Sequence, residues 1–348
     1  MFREQLGQSL KNPKHFDLFS GILANALAED VSTENLSSVI LGAKLRDLGL
    51  QLGSAFVNNE TAKIAKLLPE YQSLSEVKTL EEVPDDSLEV LPGLTVADTV
   101  ASSLDKNTLI KLLPSSLNDA VGGGLYPGSH LTLFARPEVG KSALCMTLIR
   151  GFLKQGLKVL YCFNEDPINA VKVRAVSCIS QMNGREIQEE PDEAQTRLDN
   201  GGANNLVLVS ISPGTVAQIE ALIKKYEPHV VVVDQLRNIQ CGEDNRVIQL
   251  EKVAQALRNL GKKYNLLMVS VTQAGDSASN KAVLTMGDID FSNTGIPAAC
   301  DILLGMGVTE EMETLNERML TLCKNKANGV HARLPVRINP FTSTIYSV

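Results

Sequence analysis

The sequence predicts an α/β fold: a mostly parallel twisted sheet flanked by helices, preceded by a small helical N-terminal domain and a linker helix. Three observations carry this expectation. From residue 128 onward strand-like and helix-like segments alternate, the pattern of βαβ units. The strand-like segments are continuous apolar runs without polar alternation, such as the four valines Val230 to Val233, and so suit strands buried on both faces. The stretch LTLFARPEVGKS, Leu131–Ser142, passes from an apolar strand through a loop into the amphipathic run ALCMTLIRGFLKQG.

Taken in order, residues 1–75 read as a helical domain. Leu36, Val39, Ile40, Leu45 and Leu48 fall at helical spacing, with Ser32 or Thr33 as the N-cap. Asn58 or Asn59 is placed to cap a second helix, Thr61 to Leu68, which Pro69 closes. His15 stands there without a catalytic neighbour. Residues 76–112 form a linker, acidic and proline-marked from Glu81 to Asp86, with an apolar periodic segment, Leu94 to Leu104, suited to dock on a neighbour.

Residues 113–348 hold the sheet. Val159–Phe163, Leu206–Ile211, His229–Asp234, Leu266–Thr272 and Ile302–Met306 read as strands. Asn169–Ser180, Thr215–Tyr226 and Arg246–Tyr264 read as the helices between them, and Met319–Cys323 with Val336–Ile338 close the domain.

The loop before the first long helix points to nucleotide chemistry. A helix N-terminus offers unpaired N–H groups and the positive end of the helix dipole. Arg136, Pro137, Glu138, Val139, Gly140, Lys141, Ser142 and Ala143 form the expected nucleotide-binding loop, with the amides of Val139 to Ala143 wrapping the α- and β-phosphates. Lys141 would reach the β- and γ-phosphates, and the Ser142 hydroxyl would ligate Mg²⁺. The general pattern places Gly at the first loop position, which here is Ala135.

Ligands of such sheets lie beyond the carboxyl ends of the strands, so the polar residue ending each strand matters. Those residues are Glu165, Asp234 and Gln273. Asp234 suits a second Mg²⁺ ligand, Glu165 the base that polarises attacking water, and Gln273 a γ-phosphate sensor. Each has a plainer reading as a capping or turn residue. The loop Ala274 to Thr294 is long enough to be functional, with Lys281 and the amides near Thr294 and Gly295 as contacts for single-stranded nucleic acid. Lys324 and Lys326 are either solvated charges or cations supplied to a neighbouring subunit's ATP, a contribution worth roughly 10³–10⁵ in rate.

Composition bounds the rest. Hydrophobic residues at 44% and charged residues at 21% describe a globular chain with a substantial core. The net charge of −7 excludes a globally basic coat protein, so nucleic acid would be gripped by local strips. Six scattered cysteines with no CxxC read as free thiols in a reducing compartment, without a zinc site. There is no long apolar run and no signal core at the N-terminus, so a cytoplasmic protein without membrane contact is expected.

Residues 110–348 resemble the hexameric replicative DNA helicases of bacteria and phages, the DnaB-like group with a RecA-type core. GGGLYPGSHLTLFARPEVGKSA is similar to that family's lead-in and phosphate loop, where Ala at the first position is usual. Glu165 with Arg174 nine positions on, VVVVDQL, and the long helix leading to SVTQ resemble its catalytic-glutamate, Walker B and glutamine motifs in the right order. DFSNTGIPAACDILLGM resembles its DNA-contact loop, and CKNKANG its finger segment, where Lys326 stands in place of the usual arginine. Phe291 also stands where a basic residue is common. The resemblance implies a six-membered ring on single-stranded DNA, ATP at subunit interfaces, a primase or helicase loader as partner, and a bacterial or phage-infected cell. A RecA-like recombinase and an oligomeric regulatory ATPase without nucleic acid are the competing readings.

Overall fold

The computed structural model describes residues 33–81, 108–242, 245–291 and 294–348. The chain divides into two compact units, Met1–Leu94 and Thr95–Val348. In the first, helices α1 (Thr33–Val57) and α2 (Thr61–Glu81) pack on each other through Leu48, Leu52 and Leu67, with Ile64, Tyr71 and Leu74 against them. The expectation that Pro69 closes the second helix is corrected: α2 runs through it to Glu81, past the boundary expected at residue 75. Proline removes one helical hydrogen bond, but Leu67 before it and Tyr71 and Leu74 after it are anchored on the same cluster. His15 and the segment Leu94 to Leu104 lie outside the described residues.

The second unit begins with α3 (Ser115–Ala120), β1 (His130–Ala135), α4 (Lys141–Lys154), β2 (Val159–Phe163) and α5 (Ile168–Ser180). Two short helices, α6 (Gly184–Glu189) and α7 (Pro191–Asn200), lead to β3 (Leu206–Ser210). Then come β4 (Gly214–Thr215), α8 (Val216–Tyr226), β5 (Val230–Asp234), β6 (Ile239–Gln240), α9 (Arg246–Lys263) and β7 (Leu267–Gln273). After α10 (Gly295–Ala299) follow β8 (Ile302–Gly307), α11 (Glu310–Thr314), β9 (Glu317–Asn325), β10 (Arg333–Asn339) and β11 (Thr344–Ser347).

Nine of these strands form one sheet in the order β11-β10-β9-β8-β1-β7-β5-β2-β3. The six from β8 to β3 are mutually parallel, and β9, β10 and β11 extend the sheet as an antiparallel meander. Alternate residues of each parallel strand enter opposite cores. Leu131, Leu133, Tyr161, Val230 and Val232 meet α4 and α5 on one face, whereas Phe134, Leu160, Val231, Val233 and Met268 meet α8 and α9 on the other. That two-sided burial explains the unbroken valines of β5, each burial worth roughly 1.5–3 kcal/mol. No helix among the described residues is long and apolar enough to cross a membrane. All six cysteines are free; five are buried and Cys241 is half-buried.

Candidate functional site

β7, β5 and β2 lie successively to one side of β1, so their carboxyl ends converge beside the loop that follows β1. Ala135 pairs in register with Gln273, and Phe163 with Asp234. The result is a cleft of about 410 Å³ lined by Pro137, Glu138, Gly140, Lys141, Ser142, Ala143, Glu165 and Gln273, together with Arg174, Gln235, Ile338, Pro340 and Ser343.

The loop is shaped by its backbone. Gly140 sits at φ 118° and N-caps α4, and a Cβ there would lie 2.9 Å from Ile338 Cδ1; only glycine combines that φ with so close a neighbour. The Lys141 ammonium donates to the Arg136 carbonyl at 2.8 Å. Burial pulls the Lys141 pKa below its usual value, and the Asp234 and Glu165 carboxylates act against that fall. Arg318 on β9 is buried and donates from Nε to the Val139 carbonyl at 2.7 Å, propping the loop from behind.

Two residues placed by sequence on the phosphates point elsewhere. The Arg136 guanidinium donates to Asp276 Oδ1 at 2.8 Å and to the Gly275 carbonyl at 3.2 Å, tying the phosphate loop to the segment after β7. The Val139 side chain is buried in the core. Neither residue lines the cleft: the Arg136 side chain is held by the segment after β7, and Val139 packs into the core.

Asp234 is 7% exposed, and Tyr161 donates its hydroxyl to Asp234 Oδ2 at 2.9 Å. Burial pushes the Asp234 carboxyl up to about 6; Glu165 and Asp166 add to the rise, while the Tyr161 bond and Lys141 oppose it. A buried carboxylate with two others nearby carries excess negative charge, which suits a cation. Among the described residues no three His, Cys, Asp or Glu side chains are grouped to hold a metal by themselves. Mg²⁺ takes one or two protein ligands and completes its shell with water and phosphate oxygens. Ser142 and Asp234 can supply those ligands.

Glu165 accepts from Gln235 Nε2 at 2.6 Å. Arg174 pairs with Asp166 at 2.6 Å. Gln273 Oε1 accepts from Arg237 Nη1. Gln235, Tyr161, Arg237 and Arg318 were not singled out by sequence reasoning. A signal existed for Tyr161, a hydroxyl in a wholly buried strand that must find a partner, and for Gln235, which directly follows Asp234.

The remaining candidates lie outside the cleft. Lys281 bridges both oxygens of Asp288 at 2.9 and 2.7 Å. Burial alone would raise the Asp288 pKa, but Lys281, Thr285 and Ser277 hold it below the usual carboxylate range. Asp288 thereby folds much of the segment after Ala274 around itself, and the Lys281 charge is spent inside the loop. Thr294 and Gly295 stand at the N-terminus of α10, whose Ala298 amide donates to the Thr294 carbonyl at 2.9 Å. The Lys324 ammonium donates to the Pro297 carbonyl and, at 2.8 Å, to the Cys300 carbonyl. Lys326 is half-exposed, with one ion pair to Asp301 at 3.6 Å.

Comparison with known proteins places this geometry among ATPases. The sequence model of the AAA-domain family matches residues 99–279. DNA repair protein RadA of Campylobacter jejuni is 23% identical over 221 residues, covering 62% of this chain and 44% of that protein. Replicative DNA helicase DnaB of Leifsonia xyli is 23% identical over 282 residues, covering 76% of this chain and 59% of that protein. The chain thus spans about half the length of these curated relatives. A solved structure described as a DnaB-like replicative helicase and its interactions with primase superposes with a TM-score of 0.64 at 13% identity, covering 94% of this chain and 83% of that one.

Proposed function

This chain belongs to the AAA-domain family, and on that premise we propose that it is an ATP-dependent DNA helicase working as a ring, a hexamer, on single-stranded DNA. Its RecA-like core is related to both DnaB helicases and RadA, and such a domain implies nucleoside triphosphate hydrolysis. The observation that carries the reading is the single cleft in which Lys141, Ser142, Glu165 and Gln273 meet.

The residues divide the work. The amides from Glu138 to Ala143 hold the phosphates, and Lys141 takes the γ-phosphate in exchange for the Arg136 carbonyl. Ser142 and Asp234 would hold Mg²⁺, which when bound would neutralise charge on the phosphate oxygens. Glu165 polarises the attacking water, and Gln273 senses the γ-phosphate. Gln273 is tied through Arg237 to the turn after β5 and precedes the segment folded on Asp288, a route by which nucleotide state reaches a nucleic-acid surface. Lys326 serves the neighbouring subunit's ATP. The DnaB-like structure described with its interactions with primase supports a primase as partner; a helicase loader and a bacterial or phage-infected cytoplasm complete the proposal.

The test is ATP-dependent strand separation on a forked DNA duplex, with Lys141→Ala as the blank. Unwinding that disappears in the blank is the expected result. DNA-stimulated hydrolysis without unwinding would favour a RadA-like recombination ATPase, and hydrolysis indifferent to DNA would favour a regulatory ATPase.

A further inference from the structure

Gln235 is 2% exposed, yet it lines the nucleotide cleft. Its backbone is clamped on both sides by one residue: Asn164 Oδ1 accepts from the Gln235 amide at 2.9 Å, and Asn164 Nδ2 donates to the Gln235 carbonyl at 2.9 Å. Its side chain donates from Nε2 to Glu165 Oε2 at 2.6 Å. A carboxylate only accepts, so the nitrogen must face Glu165, and the chemistry itself orients the amide. Oε1 is therefore the remaining end. It is buried without any hydrogen-bond partner, and among the described buried side-chain atoms in that condition it alone belongs to a residue lining this cleft.

A buried acceptor left without a donor costs about 1–3 kcal/mol. What satisfies it must carry a donor and lie beside Glu165, whose carboxylate the same amide holds; a water has one proton for Oε1 and a second for the carboxylate. We propose that Gln235 is a positioning residue for the attacking water, a role that rests on the ATP-hydrolysis reading above. The water donates one hydrogen bond to Glu165 and the other to Gln235 Oε1, which leaves its lone pair free to aim at the γ-phosphorus. As the water oxygen bonds to that phosphorus, the bond to the bridging oxygen breaks and its electron pair leaves on ADP. The water's proton passes to the Glu165 carboxylate and from there to the released phosphate. Gln235 thus does two things with one amide: its N–H end holds the base and its oxygen holds the nucleophile.

The experiment compares the full-length chain with Gln235→Met, which keeps the shape and removes both bonds, and Gln235→Glu, which keeps an acceptor but cannot donate to Glu165. Steady-state hydrolysis with single-stranded DNA is read alongside ADP titration and melting temperature. Gln235→Met is expected to lower kcat by about 10²-fold, the cost of losing alignment, with KM and ADP affinity unchanged, the signature of a transition-state contact. Gln235→Glu is expected to do the same, and it decides the matter if the Met variant fails to fold. Unchanged kcat in either folded variant, or kcat and ADP affinity falling together with melting temperature, overturns the assignment. Lack of hydrolysis by the unmodified chain would overturn the hydrolysis reading as well, whereas a fast Gln235→Met enzyme overturns only the role of Gln235.

Discussion

Tyr161, in the middle of β2, donates its hydroxyl to Asp234 at the end of neighbouring β5, 2.9 Å away, with both residues buried. The bond favours the ionised form of a carboxyl that burial otherwise pushes up to about 6. A cation held by Asp234 needs that form. Tyr161→Phe should therefore weaken Mg²⁺-dependent nucleotide binding by about tenfold, within the range of a hydrogen bond to a charged group. Nucleotide titrations with and without Mg²⁺ measure it; an unchanged Mg²⁺ dependence would detach Asp234 from the metal.

Glu165→Gln should bind nucleotide as well as the parent does and hydrolyse it about 10²–10⁴ times more slowly, the usual contribution of a general base. The substituted amide still accepts from Gln235, so the local structure survives. Retained turnover would move the base to another residue.

Lys324 and Lys326 are two positions apart and should behave oppositely. Lys324 is bound to the Pro297 and Cys300 carbonyls, so Lys324→Ala should lower the melting temperature through a loss of about 1–2 kcal/mol. The half-exposed Lys326 ammonium has one long ion pair, 3.6 Å from Asp301, worth about 0–1 kcal/mol, and can swing out to reach a neighbour. Lys326→Ala should leave melting unchanged and depress hydrolysis. Mixing Lys326→Ala with Glu165→Gln subunits tests action in trans: activity that equals the sum of the separate variants would rule it out.

His130 predicts a pH dependence of stability. Its Nδ1 faces the Ala299 carbonyl at 2.9 Å, which only accepts, so Nδ1 carries the proton and Nε2 is left to the Ser270 hydroxyl at 2.8 Å. Burial lowers its pKa to about 4 from 6.5; the Ala299 bond and Asp301 oppose the fall and Arg258 adds to it. Because the unfolded chain binds the extra proton first, this contribution is fully present above pH 6.5. It is lost as pH falls toward 4, by about 3 kcal/mol in all. Asp234, raised in the folded state, titrates in the opposite sense, so the comparison is between chains. Denaturant unfolding of His130→Gln should show a flatter pH slope between 6.5 and 4 than the parent; equal slopes would show that His130 is not the group titrating.

The sequence by itself determined the α/β class and the residues at the strand tips. A run of apolar residues ending in Glu165, Asp234 or Gln273 is a pattern readable along one dimension, as is a strand that breaks into Gly140-Lys141-Ser142 before a helix. Tertiary structure alone decided partners. Gln235 meets Glu165 from 70 positions away because β5 and β2 are neighbours in the sheet, and strand order is not written in local periodicity. The same cause turned Arg136 to Asp276 and captured Lys324 on two carbonyls, whereas Lys281 closes on Asp288 only seven positions along, through the path of its own loop. A basic residue in a loop reads the same whether it faces solvent, a ligand or its own backbone. Pro69 marked a helix end locally, yet the packing of α1 against α2 carried the helix through it. Local chemistry sets which groups need a partner, and the fold sets which partner comes within 3 Å.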